Sequence, residues 1–137
     1  MPSHEGYEQL LAYLESQLPK PVDRRDDDGS VRFLAGEPPE VLVTLTEAIV
    51  VVAEFAGEWE EPGQFRLSPR RIGVLHWPHL PENELLNALA ALIKGARAAR
   101  RSCYQLCEHC GRDTPPEWMH DEGVCQKCAV DLGGAIH

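Results

Sequence analysis

No apolar run in the chain approaches the about 20 residues that a membrane-spanning helix requires. The longest, Ala48-Ile-Val-Val-Val-Ala53, has the length of a strand. There is no glycine-rich phosphate-binding loop, and neither Ser68 nor Ser102 sits in a Gly-x-Ser-x-Gly turn. These absences remove the commonest nucleotide-hydrolysing and serine-hydrolase readings. The chain shows no internal repeat and no low-complexity tract. Met1-Pro-Ser-His-Glu5 lacks the basic and apolar regions of a secretion signal. The expected location is therefore cytoplasmic, with no membrane partner. Cysteine is scarce, at five in 137 residues, but four of the five fall in two CxxC pairs. In a reducing compartment that usage indicates metal ligands rather than disulfides.

Positive charge is scarce as well. Thirteen Lys and Arg stand against twenty-two Asp and Glu, a net charge of −9. Residues 1–61 hold fourteen acids and four bases. Residues 94–112 reverse the sign, with Lys94, Arg97, Arg100, Arg101 and Arg112 against Glu108 alone. An acidic body argues against broad nucleic-acid binding, which needs clustered cations on phosphates. The short basic segment keeps a local version of that function as the second hypothesis, with Arg97, Arg100, Arg101 and Arg112 as one basic edge. The structural alternative is arginines complementing the dipole at the end of a helix.

A hydrophobic content of 43% supports a packed core. The length allows one modest domain and a small appended module, divided here at 1–102 and 103–137. Tyr7, Leu10, Leu11, Leu14 and Leu18 share one face of a helix running from a Ser3 cap to about Leu18, where Pro19 and Pro21 stop it. Asp23–Ser30 reads as a charged turn. Strands are expected at Val31–Leu34, Val41–Thr46, Ala48–Phe55, Gln64–Leu67 and Arg71–Trp77, with a loop at Gly57–Gly63 and a break at Ser68-Pro69. Pro78 opens a second helix to about Ser102, with Leu85, Leu89, Leu92, Ile93 and Ala96 as its buried stripe. The expected fold is α+β: an antiparallel sheet of about four strands, two flanking helices and a C-terminal four-cysteine module.

The chemistry concentrates in Cys107-x2-Cys110 and Cys125-x2-Cys128. The two-residue spacer turns the backbone so that both sulfurs face one point, and four such thiolates suit one tetrahedral Zn²⁺. Gly111 stands where the turn needs a positive φ. Four thiolates leave no position for water or substrate, so the zinc is expected to be structural and the protein not an enzyme. Glu117–His120 and Gly123-Val124 are expected to form a small hairpin, and Cys125–Leu132 a short helix.

Cys107-Glu-His-Cys110-Gly111, the proline-bearing hairpin and Val124-Cys-Gln-Lys-Cys128-Ala129 resemble a treble-clef zinc finger, most specifically that of DksA/TraR-type bacterial transcription regulators. The resemblance covers residues 103–137. It implies a zinc-held finger directly after a helix. Those regulators carry a long helical hairpin with an acidic tip, where this chain has a sheet domain. A zinc ribbon remains the other fold for the same ligands.

Cys103 is left over. With Cys107 and Cys110 it spells the Cys-x3-Cys-x2-Cys of radical iron–sulfur enzymes, but the second CxxC gives those two cysteines a better use. Cys103 is expected to pack against the finger. His109 and His120 flank the site, and one hairpin histidine is too few for the nuclease that some treble clefs support, which is the third hypothesis. His76-x2-His79 around Trp77 reads as a strand end with a core tryptophan. Asp26-Asp27-Asp28-Gly29 reads as a solvated turn, and Trp59 sits among acids on a loop. The expected role is a zinc-binding regulator or adaptor whose partner is another protein.

Overall fold

The computed structural model describes residues 3–61, 64–119 and 123–133. Helix α1 (Ser3–Gln17) precedes strands β1 (Val22–Asp27), β2 (Ser30–Ala35), β3 (Val41–Thr46), β4 (Val50–Glu61) and β5 (Gln64–Leu75). A 3-10 turn at Trp77–His79 leads to helix α2 (Glu82–Ser102). The C-terminal part holds strands β6 (Gln105–Leu106) and β7 (Asp113–Thr114), a 3-10 turn at Pro116–Trp118 and helix α3 (Gln126–Gly133). The fold is α+β. Among the described residues no helix is long and apolar enough to cross a membrane.

The main sheet is an antiparallel meander in the order β1-β2-β3-β4-β5. Alternation along its strands puts Val31, Phe33, Ala35, Val41, Val43, Leu45, Val50 and Val52 on one buried face. Leu10, Leu11, Leu14 and Leu18 of α1 and Leu85, Leu89, Ile93 and Ala96 of α2 join that face in a single core cluster. Burial of each large side chain contributes about 1.5–3 kcal/mol. Trp77 closes one end. Its ring is buried, and its indole N–H donates to the Thr46 carbonyl at 2.8 Å.

The five strands of the sheet differ from the expected segments in two ways: Gln64–Leu67 and Arg71–Trp77 belong to one strand, β5, and the charged segment read as a turn forms β1. It pairs with β2 from Val22↔Ala35 to Asp27↔Ser30. Five of its six residues are exposed, so it carries no alternation for a sequence pattern to detect. The expected Gly57–Gly63 loop is replaced up to Glu61 by the continuation of β4, with Glu58 opposite Arg66 and Trp59 opposite Phe65. The Ser68-Pro69 break lies inside β5, where Pro69 faces Phe55. Proline is tolerated there because β5 is an edge strand. Helix α2 begins at Glu82, four residues later than expected, because Pro78 belongs to the 3-10 turn. The side chain of Trp59 lies outside the described residues, as do His120 and His137.

The turn between β2 and β3 is tight. The Glu40 N–H donates to the Ala35 carbonyl at 2.8 Å. Gly36 holds φ +95°, and a Cβ there would stand 2.9 Å from Glu40 Cγ and 3.1 Å from Glu40 N. Gly36→Ala is expected to cost about 1–3 kcal/mol, read as a lower urea midpoint at unchanged slope. An unchanged midpoint would mean that the turn relaxes freely.

Candidate metal centre

Helix α2 ends at Ser102 with Cys103 as its cap, and the finger begins directly after it. Strands β6 and β7 pair Gln105 with Thr114 and Leu106 with Asp113, so the first CxxC lies on the connection between them. The Cys107 N–H donates to the Arg112 carbonyl and the Gly111 N–H to the Cys107 carbonyl, both at 2.9 Å. Gly111 has φ +73°, the positive value its position demands. The second pair has a different support. Met119 bridges to Cys125, and Cys125 immediately precedes α3, so Cys128 falls in the first turn of that helix. The Glu108 N–H donates to the Gly123 carbonyl at 2.9 Å and ties the two halves together.

The Sγ atoms of Cys107, Cys110, Cys125 and Cys128 all lie within 4.8 Å of one another. Cys110 and Cys125 have their sulfurs 4.0 Å apart. A tetrahedral ion with bonds of about 2.3 Å needs sulfur separations of roughly 3.8 Å, so the cluster fits with little adjustment. Among the described residues it is the only group of three or more such ligands within bonding reach of one ion. Four sulfurs form a donor set for a soft divalent metal.

The electrostatics point the same way. Cys107 is fully buried, and its sulfur accepts the N–H groups of Cys110 at 3.5 Å and Cys125 at 3.3 Å. Those donors lower its pKa to about 6. Burial and the crowding sulfurs of Cys125, Cys110 and Cys107 push Cys128 up to about 12. The protein groups alone hold one sulfur as a thiolate and another as a thiol. A dication at the centre removes that conflict, because a coordinated thiol is deprotonated outright.

Other candidate residues are placed elsewhere. Cys103 is exposed, with its thiol 3.6 Å from the Ala99 carbonyl, so it neither packs into the finger nor joins the cluster. His109 is exposed beside the site, and His76 and His79 are exposed on either side of the buried Trp77. Asp26 and Asp27 belong to β1 rather than to a turn, and Asp26 pairs with Arg24 at 2.9 Å.

Three of the four arginines weighed as a basic edge under the second hypothesis have carboxylate partners. Arg97 and Arg101 both turn to Glu40, at 3.1 and 3.6 Å, and that carboxylate is buried. Arg100 is fully buried. Its Nε donates to the Pro39 carbonyl at 2.8 Å, its Nη2 binds Glu117, and its guanidinium lies 5.3 Å from the Tyr104 ring centroid. Arg100 Nη1 and Glu117 Oε1 are buried with no hydrogen-bond partner. Of the four arginines only Arg112 is exposed without an ion pair among the described residues.

Two sequence signals could have found this arrangement. Arg100 continues the helical spacing of the buried stripe Leu85, Leu89, Ile93 and Ala96. Both acceptor acids close a Pro-Pro-Glu triplet, Pro38-Pro39-Glu40 and Pro115-Pro116-Glu117. Each triplet ends a short turn that aims a carboxylate at α2. Comparison with protein-family models, curated proteins and solved structures finds no match to this chain.

Proposed function

We propose that Cys107, Cys110, Cys125 and Cys128 hold one structural Zn²⁺, and that the finger they build is a protein-interaction module of a non-enzymatic cytoplasmic regulator or adaptor. Four thiolates complete a tetrahedral ion and leave it no position for substrate. The second CxxC opens a helix rather than a second hairpin, which favours the treble-clef arrangement over the zinc ribbon. The likeness to DksA/TraR-type fingers rests on this local arrangement alone. In this reading residues 1–102 and 103–137 are two units joined through Arg100 and Glu117.

The observation that carries the interaction role is where the finger keeps its large apolar side chains. Leu106 is 61% exposed and Trp118 is 48% exposed, and they are two of the three exposed large hydrophobics among the described residues. The inside of the finger is taken up by sulfur, so these side chains face water. Exposed tryptophan is a frequent anchor of protein interfaces.

Elemental analysis with zinc-edge X-ray absorption tests the metal. One zinc per chain with four sulfur neighbours is expected. An oxygen or nitrogen ligand, or iron in place of zinc, would reopen catalysis. Affinity capture with the intact protein and a Leu106→Ser/Trp118→Ala variant tests the surface. Partners retained equally by both proteins would refute the assignment to the finger.

A further inference from the structure

Helices α1 and α2 both lie on the Phe33 and Val43 face of the main sheet, in one core cluster. Alternation along the strands puts Leu34, Leu42, Val51, Ala53, Phe55 and Val74 on the other face. None of these side chains joins the core cluster. An antiparallel sheet with one face in water alternates apolar with polar residues. Here the outward positions of β4 include Val51, Ala53 and Phe55, and Val74 beside them is 38% exposed. We propose that a second copy of this chain covers this face, so that the protein is a two-fold dimer packed sheet to sheet. The proposal concerns residues 22–75 and is independent of the reading of the finger.

The arrangement of charge says why the partner is a copy. The ladders align Asp23, Leu34, Leu42, Ala53 and Arg71 in one row that crosses all five strands. The row is acidic at its β1 end, apolar through the middle and basic at its β5 end. A two-fold axis running along the strands over β3 lays this row on itself reversed. Asp23 of one copy then meets Arg71 of the other, twice, and Leu42 meets Leu42. Aligned packing of this kind is ordinary for two sheets face to face.

The next row is Arg25, Arg32, Thr44, Val51 and Val74. Under the same axis its arginines lie over valines, where their aliphatic stems pack while the guanidinium groups reach the rim. A two-fold axis across the strands would instead set Asp23 on Asp23 and Arg71 on Arg71. The pattern is therefore self-complementary in one orientation, which is what an isologous interface requires.

Net charge and size agree. Copies of a chain of net charge −9 repel each other, so they can meet only where the local charge is balanced. The charged residues on this face of the five-stranded part are Asp23 and Asp27 against Arg25, Arg32 and Arg71. Five strands about 4.8 Å apart, six residues long at about 3.3 Å each, make a face of roughly 24 by 20 Å. Two such faces together reach the about 1,000 Å² of a small specific interface. A dimer in the micromolar range is expected.

The test is sedimentation velocity on the full-length, zinc-loaded protein. The wild type is expected at twice the chain mass at about 100 µM, where an interface of this size is populated. Asp23 and Arg71 are both exposed, so their reversal leaves the fold intact. Asp23→Arg and Arg71→Asp should each weaken the dimer about 10-fold, because two exposed attractive pairs become repulsive. An equimolar mixture of the two variants should regain wild-type association, since every pair in the mixed dimer again joins opposite charges. Leu42→Glu should leave a monomer with unchanged circular dichroism.

A wild type that is monomeric at that concentration overturns the proposal and leaves the face to a partner of other chemistry. A dimer that neither reversal nor Leu42→Glu weakens is held by another surface and overturns it equally. A mixture no tighter than either variant alone would show that Asp23 and Arg71 do not meet, and would overturn the two-fold arrangement.

Discussion

Replacing Glu117 by alanine is expected to destabilise the protein by about 3–5 kcal/mol, the cost of stranding one member of a buried ion pair. The stranded group is the Arg100 guanidinium, which is fully buried and cannot shed its proton. Its Nη1 already lacks a partner, so the variant leaves only the Pro39 carbonyl and the Tyr104 ring face to offset the charge. The loss should appear as a lower urea midpoint in zinc-loaded protein. Glu117→Gln, which keeps an acceptor but not the charge, should fall between alanine and the wild type. An Arg100→Met/Glu117→Leu pair should recover most of the loss, since apolar replacement of a whole buried pair is often neutral. Arg100 joins the β2–β3 turn to the finger, so hydrogen exchange in the alanine variant should rise near Pro39 as well as across residues 104–119. A loss below about 1 kcal/mol, the value of an exposed pair, would mean that water reaches the guanidinium.

Stripping the metal with a strong chelator is expected to unfold the finger and leave the sheet standing. Structural zinc supplies an apparent 10–16 kcal/mol or so to finger peptides near neutral pH. Among the described residues the buried cluster of the finger is Cys107, Met119, Cys125 and Cys128, with Val124 packed alongside. The main core contains no cysteine. Alkylation should therefore change from Cys103 alone in the loaded protein to all five cysteines after chelation, while the sheet keeps its exchange protection. The sheet should nevertheless melt earlier, because release of Glu117 strands Arg100 as the alanine variant does. Cys107→Ser should weaken metal binding by more than the about 100-fold that loss of a supporting hydrogen bond costs.

Acid should act in the same direction as chelation. Cys128, pushed up to about 12, must release its proton on metal binding, so affinity falls as pH falls. Cys107, lowered to about 6, stays a thiolate above that value and adds a further competing proton below it. The pH dependence of zinc release should steepen there. Slow alkylation that persists after complete zinc removal would show that the finger folds without metal.

The core and the ligand set were legible because each rests on a spacing. Leu10, Leu11, Leu14 and Leu18 repeat at the helical period, Val41, Val43 and Leu45 at the strand period, and the two CxxC pairs at a chelating one. Strand β1 was not legible. Asp23-Arg-Arg-Asp-Asp27 has no buried face, and only pairing with β2 makes it a strand. Pro69 looked like a break for a similar reason, since an edge position that tolerates proline is a tertiary fact. Arg100 was hidden by its own charge. Its place on the helical stripe implied burial, but a buried arginine needs an acceptor, and Glu117 reaches it only once the finger has folded.

The charge on β1 has a bearing on solubility. A meander of five strands does not close on itself, so among the described residues β1 and β5 each have one edge with no partner strand. The inner strands β3 and β4 are rich in valine, a composition that stacks readily between chains once an edge is free. The unbroken run of charged residues Asp23-Arg-Arg-Asp-Asp27, and Pro69 with Arg70 and Arg71 along β5, make both edges poor templates for a further strand. The segment that looked least like a strand is in this sense a guard against intermolecular strand addition.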